Sequence, residues 1–275
     1  MDTSAWNALA RWQQRRSLRS IKGPEYLISD CNLDQFAAAS HYVAKDLATL
    51  AWRLTNRRRL ADHVELMIEE ITAYEDRRPI RSIYKEHPGF ELAWNTIRTS
   101  GAPREMKALA DDAIRDAKRQ FRDHLRAERS TFFSFFQGFE SLGFKKPWAE
   151  MLDELEREGY IGQYLENIVR HFDVPHSIRA PSKIHEIPYR ELPATAAGTQ
   201  YYMALSFRAA YEKGKNAKPD YDDQTDFRHA YYAGVADVFV CEDRKMKETL
   251  EEYVVTKQSV IVTLAEFLSR MGAPA

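Results

Sequence analysis

The tightest constraint on the fold lies between residues 220 and 264. Thr225 or Asp226 reads as the cap of a helix, and the small residues Ala230, Ala233 and Gly234 let that helix pack closely. Val238 to Val240 reads as a buried strand, and Asp243 lies just past its C-terminal end. Another helix follows. Ser259-Val260-Ile261-Val262-Thr263-Leu264 is a second, β-branched strand ahead of a short final helix. In open α/β sheets, ligands bind in the crevice beyond the carboxyl ends of the strands. Asp226 and Asp243 can both reach that edge.

The same unit is predicted near the start. Gly23 and Pro24 break the first helix, and Glu25-Tyr26-Leu27-Ile28-Ser29-Asp30 reads as a buried strand ending on an acid. A helix follows, with Phe36, Ala39, Val43, Leu47, Leu50 and Leu54 at helical spacing and Asn32 or Asp34 as its cap. Beyond the basic run Arg57-Arg58-Arg59, His63-Val64-Glu65-Leu66-Met67-Ile68 reads as a second short strand. It leads into a helix start rich in acids, Glu69 to Asp76, which suits the positive end of a helix dipole.

Between 103 and 173 the pattern is helical throughout. Pro103-Arg104-Glu105 opens a long helix with Met106, Leu109, Ala113, Ala117, Phe121 and Leu125 on one face. Arg115, Lys118, Arg119, Arg122 and Arg126 lie elsewhere on it, interspersed with Asp111, Asp112, Asp116 and Asp123, so the leading reading is a solvated face and the alternative a phosphate-contacting ridge. The Phe132 to Phe139 cluster reads as core, and two further helices cover Trp148 to Arg157 and Ile161 to Phe172. Residues 174–193, with four prolines, form a connector to a helix over 194–212 and a polar loop over 213–220. Residues 1–20 read as a short amphipathic helix with a basic end.

Bulk properties narrow the function classes. A 44% hydrophobic chain of 275 residues can bury a large core. With 40 basic and 41 acidic residues, attraction to a polyanion has to come from local patches. Cys31 and Cys241 form no CxxC pair, which argues against a disulfide framework or a structural zinc site. No apolar run is long enough for a membrane span, and the N-terminus lacks a signal-peptide core. The expectation is a soluble, cytoplasmic protein.

Three carboxylates, Asp30, Asp226 and Asp243, at three predicted element ends would repel one another unless neutralised. A hard divalent cation is the natural partner, and Mg²⁺ or Mn²⁺ suits all-carboxylate ligands. Taken singly, each is more simply a turn or helix cap. The joint arrangement favours a site. His229, one turn from Asp226, reads as a buried hydrogen-bonded histidine, Asp222 and Asp223 as loop residues, and Arg244 as a phosphate contact or an ion-pair partner.

On these residues the sequence resembles the PIN-domain nucleases. Leu27-Ile28-Ser29-Asp30-Cys31-Asn32 matches the hydrophobic strand ending in Asp that opens that family. Asp226 to Arg244 matches its close: an Asp beginning a helix of small residues, then a strand, then a turn with a second Asp and a basic residue. Cys31 and Cys241 stand where Thr is usual. The resemblance covers roughly 21–80 and 190–270. It implies an α/β fold of PIN-like three-layer α/β/α type, helix-rich, with a central parallel sheet and an all-helical insertion. The nuclease domain would be discontinuous, 21–100 and 174–275, with 103–173 as the insertion and 1–20 as an N-terminal helix.

The resemblance also implies roles. Asp30 would be a central metal ligand, Asp226 and Asp243 would complete the metal site, and Glu75 would ligand the metal or orient water, with Glu70 and Glu69 as alternatives. The implied activity is metal-dependent endonucleolytic hydrolysis of phosphodiesters, of RNA ahead of DNA. Family association adds a toxin paired with an antitoxin protein, and a homo-oligomer, as expected partners. Two alternatives stand beside it: a non-catalytic PIN-like module that binds nucleic acid or protein, and another Mg²⁺-dependent phosphohydrolase. The latter often carries an Asp-x-Asp turn, whereas this chain reads Asp30-Cys31-Asn32.

Overall fold

A computed structural model describes residues 1–15, 25–55, 59–84, 88–141, 148–171, 188–208 and 223–272. Arg57, Arg58, Asp222, most of the proline-rich connector and the 213–220 loop lie outside the described residues, as do the side chains of Asp30, Asp223 and the Phe132 to Phe139 cluster. The first half runs α1 (Thr3–Arg15), α2 (Asp30–Ala38), α3 (His41–Leu54), α4 (His63–Glu75), α5 (Pro88–Ser100) and α6 (Arg104–Ser141). It continues with α7 (Trp148–Arg157), α8 (Tyr160–His171), a short 3-10 turn (Tyr189–Glu191), α9 (Pro193–Phe207) and α10 (Asp223–Ala233). The chain closes with β1 (Val238–Val240), α11 (Arg244–Tyr253), β2 (Val260–Val262) and α12 (Leu264–Arg270).

The expected three-layer α/β/α fold around a central parallel sheet is not what forms. The described residues are predominantly helical, and their sheet has two strands, with Val238, Phe239 and Val240 paired in parallel with Val260, Ile261 and Val262. Two predicted strands account for the difference. Tyr26 to Ser29 is not a strand: among the described residues its one backbone bond to a neighbouring segment is from the Leu60 amide to the Ile28 carbonyl, 2.9 Å. Ser29 immediately caps α2 in a capping box with Asn32, leaving too few residues for a ladder, while Tyr26 and Ile28 bury their side chains among helices. His63 to Ile68 is the start of α4. Asp62 caps it and Glu65 closes a capping box, so an apolar run that reads equally as strand is committed to helix by its first turn.

The single helix predicted to carry Phe36 to Leu54 is two helices, broken at Ser40, where the backbone is extended. The long helix, α6, runs 38 residues, about 57 Å at 1.5 Å per residue. It packs against α2, α9 and α10, and Met151, Leu152, Leu155, Ile161, Tyr164 and Leu165 of α7 and α8 join the same core as α4, α9 and α10.

The small sheet separates two hydrophobic clusters. Phe239, Cys241 and Ile261 face one of them, with α4, α9 and α10. Val240 and Val262 face the other, with α1, α2, α3, α5 and α12. This period-2 division is what a strand buried on both faces produces. At the centre of the first cluster α9 is buried on every side from Ala194 to Ser206. Its small residues let α10 approach closely: a Cβ on Gly198 would lie 2.2 Å from the Tyr231 ring, and one on Gly234 2.1 Å from the Pro193 carbonyl oxygen.

Candidate functional site

β1 delivers the chain to Cys241-Glu242-Asp243 at the carboxyl edge of the sheet. The Cys241 amide donates to the Val262 carbonyl at 2.8 Å, so that peptide points its N–H at β2. In a trans peptide the carbonyl points the other way. The Val240 carbonyl accordingly accepts the Asp2 amide at 3.0 Å, and β1 lies between β2 and the first residues of the chain. Asp2 is 3% exposed. Its Oδ1 accepts the Ala5 amide at 2.6 Å, capping α1, and its Oδ2 accepts the amides of Glu242 (3.0 Å) and Asp243 (3.3 Å). Asp243 caps α11, its Oδ1 accepting the Met246 amide at 2.8 Å.

Asp226 lies in the first turn of α10, buried. Its charge bears on two thiols, Cys241, which also feels Asp2, and Cys31, which also feels Arg228, Asp34 and Asp62. Burial pushes the Cys31 thiol up to about 12 and raises Cys241 further, so both stay protonated and act as small buried residues. Asp243 and Asp2 thus share the turn that follows β1, while Asp226 lies on α10.

Asp30 begins α2, beside Cys31. Glu75 stands apart. It is exposed at the last position of α4, while Asp62, at the other end of that 13-residue helix, is the end that meets α10 through Arg228; the separation is about 20 Å. The two alternatives hold the fold together instead. Glu69 pairs with Arg78 at 2.6 Å and accepts the Arg81 amide at 2.8 Å. Glu70 is buried and caps α9, accepting the amides of Ala194 and Thr195 and the Thr195 hydroxyl, each at 2.8 Å.

A polar junction backs the acids. Asn32, the residue that closes the α2 capping box, donates its amide to Thr3 Oγ1 at 3.0 Å and faces His229 Nε2 at 3.1 Å. With Nε2 accepting, the proton sits on Nδ1, which is buried without a hydrogen-bond partner among the described residues. Burial, with the positive charges of the N-terminus and Arg228 nearby, lowers His229 to about 3, so it is neutral. Arg228, the preceding residue, reaches Asp34 at 3.5 Å and Asp62 at 3.4 Å. Asp62 also binds His63 Nδ1 at 3.0 Å. Although burial works against its ionisation, His63 and Arg228 more than offset that and hold its carboxyl well below the usual range.

Asp2 and Arg228 are absent from the sequence-level site. Asp2 has a local signal, since Asp-Thr-Ser before the apolar positions Ala5, Trp6 and Leu9 is a helix start, but a cap does not announce contact with Asp243. Arg228 has none, because its partners lie 194 and 166 positions away. Among the described residues, no group of three or more His, Cys, Asp or Glu side chains is placed to hold a metal ion. Likewise, no described helix is long and apolar enough to cross a membrane. No protein-family model, curated protein or solved structure matches this chain.

Proposed function

We propose that this chain is a metal-dependent endonuclease that hydrolyses phosphodiester bonds, RNA ahead of DNA. The observation that carries the reading is Asp243 capping α11 just past the carboxyl end of β1, with Asp2 tied into the same turn. The resemblance of Asp226 to Arg244 to the PIN-domain nucleases supports the reaction class, and the fold difference removes any support from architecture. A toxin role with an antitoxin partner rests on that resemblance alone.

The donor set is all oxygen, which fits Mg²⁺ or Mn²⁺ in kind. It is not a finished cage, because Asp2 and Asp243 spend oxygens on backbone amides. Mg²⁺ commonly binds through one or two carboxylates plus substrate phosphate and retained waters, so two acids at the edge are a sufficient protein contribution. When bound, such an ion supplies Lewis acidity at the phosphoryl oxygen. The chain's own part is to fix Asp243 on a helix cap and Asp226 on a buried helix, so that neither carboxylate wanders.

The test is cleavage of single-stranded RNA and DNA with Mg²⁺, Mn²⁺ and Ca²⁺, comparing the wild type with Asp226→Asn and Asp243→Asn. Asn retains the cap at Asp243 and is nearly isosteric at Asp226, so both variants should fold. The expected result is metal-dependent cleavage that falls at least about 100-fold in each. Wild-type cleavage rates in both folded variants would rule the assignment out.

A further inference from the structure

Asn32 is a buried amide at which three helices meet. Its Oδ1 accepts the Ser29 amide at 3.2 Å and the Ser29 hydroxyl at 3.0 Å, inside the capping box of α2. Its Nδ2 lies 3.0 Å from Thr3 Oγ1 on α1 and 3.1 Å from His229 Nε2 on α10, with the Met1 carbonyl oxygen farther off at 3.4 Å. An amide nitrogen carries two protons, so the two shorter contacts use both. All four hydrogen-bonding positions of the side chain are thereby filled, by partners 3, 29 and 197 positions away.

A buried amide is costly when any of these bonds is missing. An apolar side chain in that place would carry no such requirement, whereas the amide is satisfied in one mutual arrangement of α1, α2 and α10. Those helices carry the acids. Thr3 follows Asp2, whose amide donates to the Val240 carbonyl at 3.0 Å and whose Oδ2 accepts the Asp243 amide at 3.3 Å. His229 stands three positions after Asp226 on α10, so the two share a helix face with Cβ atoms about 5–6 Å apart. The chain Thr3–Asn32–His229 therefore spans from the Asp2–Asp243 turn to the start of α10.

We propose that Asn32 is a positioning residue of the acidic site, setting the distance of Asp226 from the Asp243 turn through its bonds to His229 and Thr3. This rests on the nuclease reading and adds the group that holds its carboxylates in place.

The test is Mn²⁺ binding to the full chain without nucleic acid, read by loss of the free-ion electron paramagnetic resonance signal, beside thermal melting and cleavage of single-stranded RNA. The acceptors are changed first, since His229→Leu and Thr3→Val leave Asn32 and its capping box intact. His229→Leu should weaken Mn²⁺ binding about tenfold, the lower end of the loss for groups that orient metal ligands. Thr3→Val should weaken it about threefold, the equivalent of one hydrogen bond. His229→Gln offers an amide oxygen near the place of Nε2 and should restore binding to within about threefold of wild type. Adding His229→Leu to Asn32→Ala should weaken binding little beyond Asn32→Ala alone, because both remove the same bond. A merely structural junction predicts lower melting temperatures with unchanged Mn²⁺ affinity. That result in folded His229→Leu or Thr3→Val overturns this proposal alone, even if Asn32→Ala does not fold. A wild-type chain that neither binds Mn²⁺ nor cleaves RNA overturns the nuclease reading and this proposal together. Mn²⁺ binding that His229→Leu weakens, in a chain that cleaves no RNA, supports the positioning role and overturns the nuclease reading.

Discussion

Asp2 and Asp243 stand 241 positions apart in the sequence and are joined by a hydrogen bond from the Asp243 amide to Asp2 Oδ2, 3.3 Å. The same carboxylate caps α1 and accepts the Glu242 amide. One buried side chain therefore fixes the first helix against the acidic turn. Asp2→Ala strands three amides and should cost about 3 kcal/mol by denaturant unfolding. Asp2→Asn keeps one acceptor oxygen and should cost less. If the turn serves catalysis, Asp2→Asn should lower metal-dependent cleavage more than its stability loss explains. Equal melting temperatures for Asp2→Ala and wild type would contradict the structural role.

Glu70 is the second buried carboxylate with a positional task. It ties α4 to the N-terminus of α9, where Leu192 as cap residue offers no side-chain acceptor. Glu70→Ala should destabilise by about 3 kcal/mol, and Glu70→Gln by about 1–2 kcal/mol, because one amide oxygen replaces two carboxylate oxygens. Neither variant should change the metal dependence of cleavage in the folded protein. A change there would return Glu70 to the site.

Gly198 tests the contact between α9 and α10. Helix propensity alone makes Gly198→Ala stabilising by about 1 kcal/mol. The Tyr231 ring, 1% exposed and 2.2 Å from the added Cβ, has little room to yield, so overpacking should win and the variant should lose about 1–3 kcal/mol. In Gly198→Ala with Tyr231→Ala the cost should fall well below the sum of the single variants, as measured by a double-mutant cycle.

His229 gives a pH signature. Its folded value, about 3, lies below the unfolded value of about 6.5, so the neutral form is favoured on folding. The stability linked to it is fully present above pH 6.5 and is lost as pH falls from 6.5 toward 3, at about 1.4 kcal/mol per pH unit. Asp34 and Glu70, both raised by burial, act in the opposite sense as pH rises through and above the ordinary carboxylate range. The difference between wild type and His229→Gln isolates the histidine, and the two should converge as pH falls from 6.5 to 4.5. Parallel pH curves over that range would place the folded value near 6.5 instead.

The α6 arginines supply a negative control for nucleic-acid contact. With their i−3 aspartates they are locally neutralised, so Arg115→Ala with Arg119→Ala should leave RNA affinity within about twofold at 0.15 M salt. A larger loss would make the exposed face of α6 an RNA surface.

The two strands at the C-terminal end were legible because β-branched runs bounded by helical periodicity leave one reading. Asp243 at the end of β1 was legible with them. The short apolar run at His63 was not, since five or six buried residues fit either period and the Asp62–Glu65 capping box decides the matter. Glu75 could not be told from Glu69 and Glu70 by sequence, because only partners distant in the chain separate an exposed helix end from a buried cap. Local sequence by itself determined the two C-terminal strands, Asp243 at the end of β1 and the apolar faces of the long helices, since capping and periodicity act within a few residues; Asp226, read as a cap, lies inside the first turn of α10, which begins at Asp223. Tertiary structure alone decided that the sheet among the described residues stops at two strands, that Asp2 joins Asp243 and that Arg228 meets Asp34 and Asp62, because those contacts depend on which buried surfaces pack together across the chain.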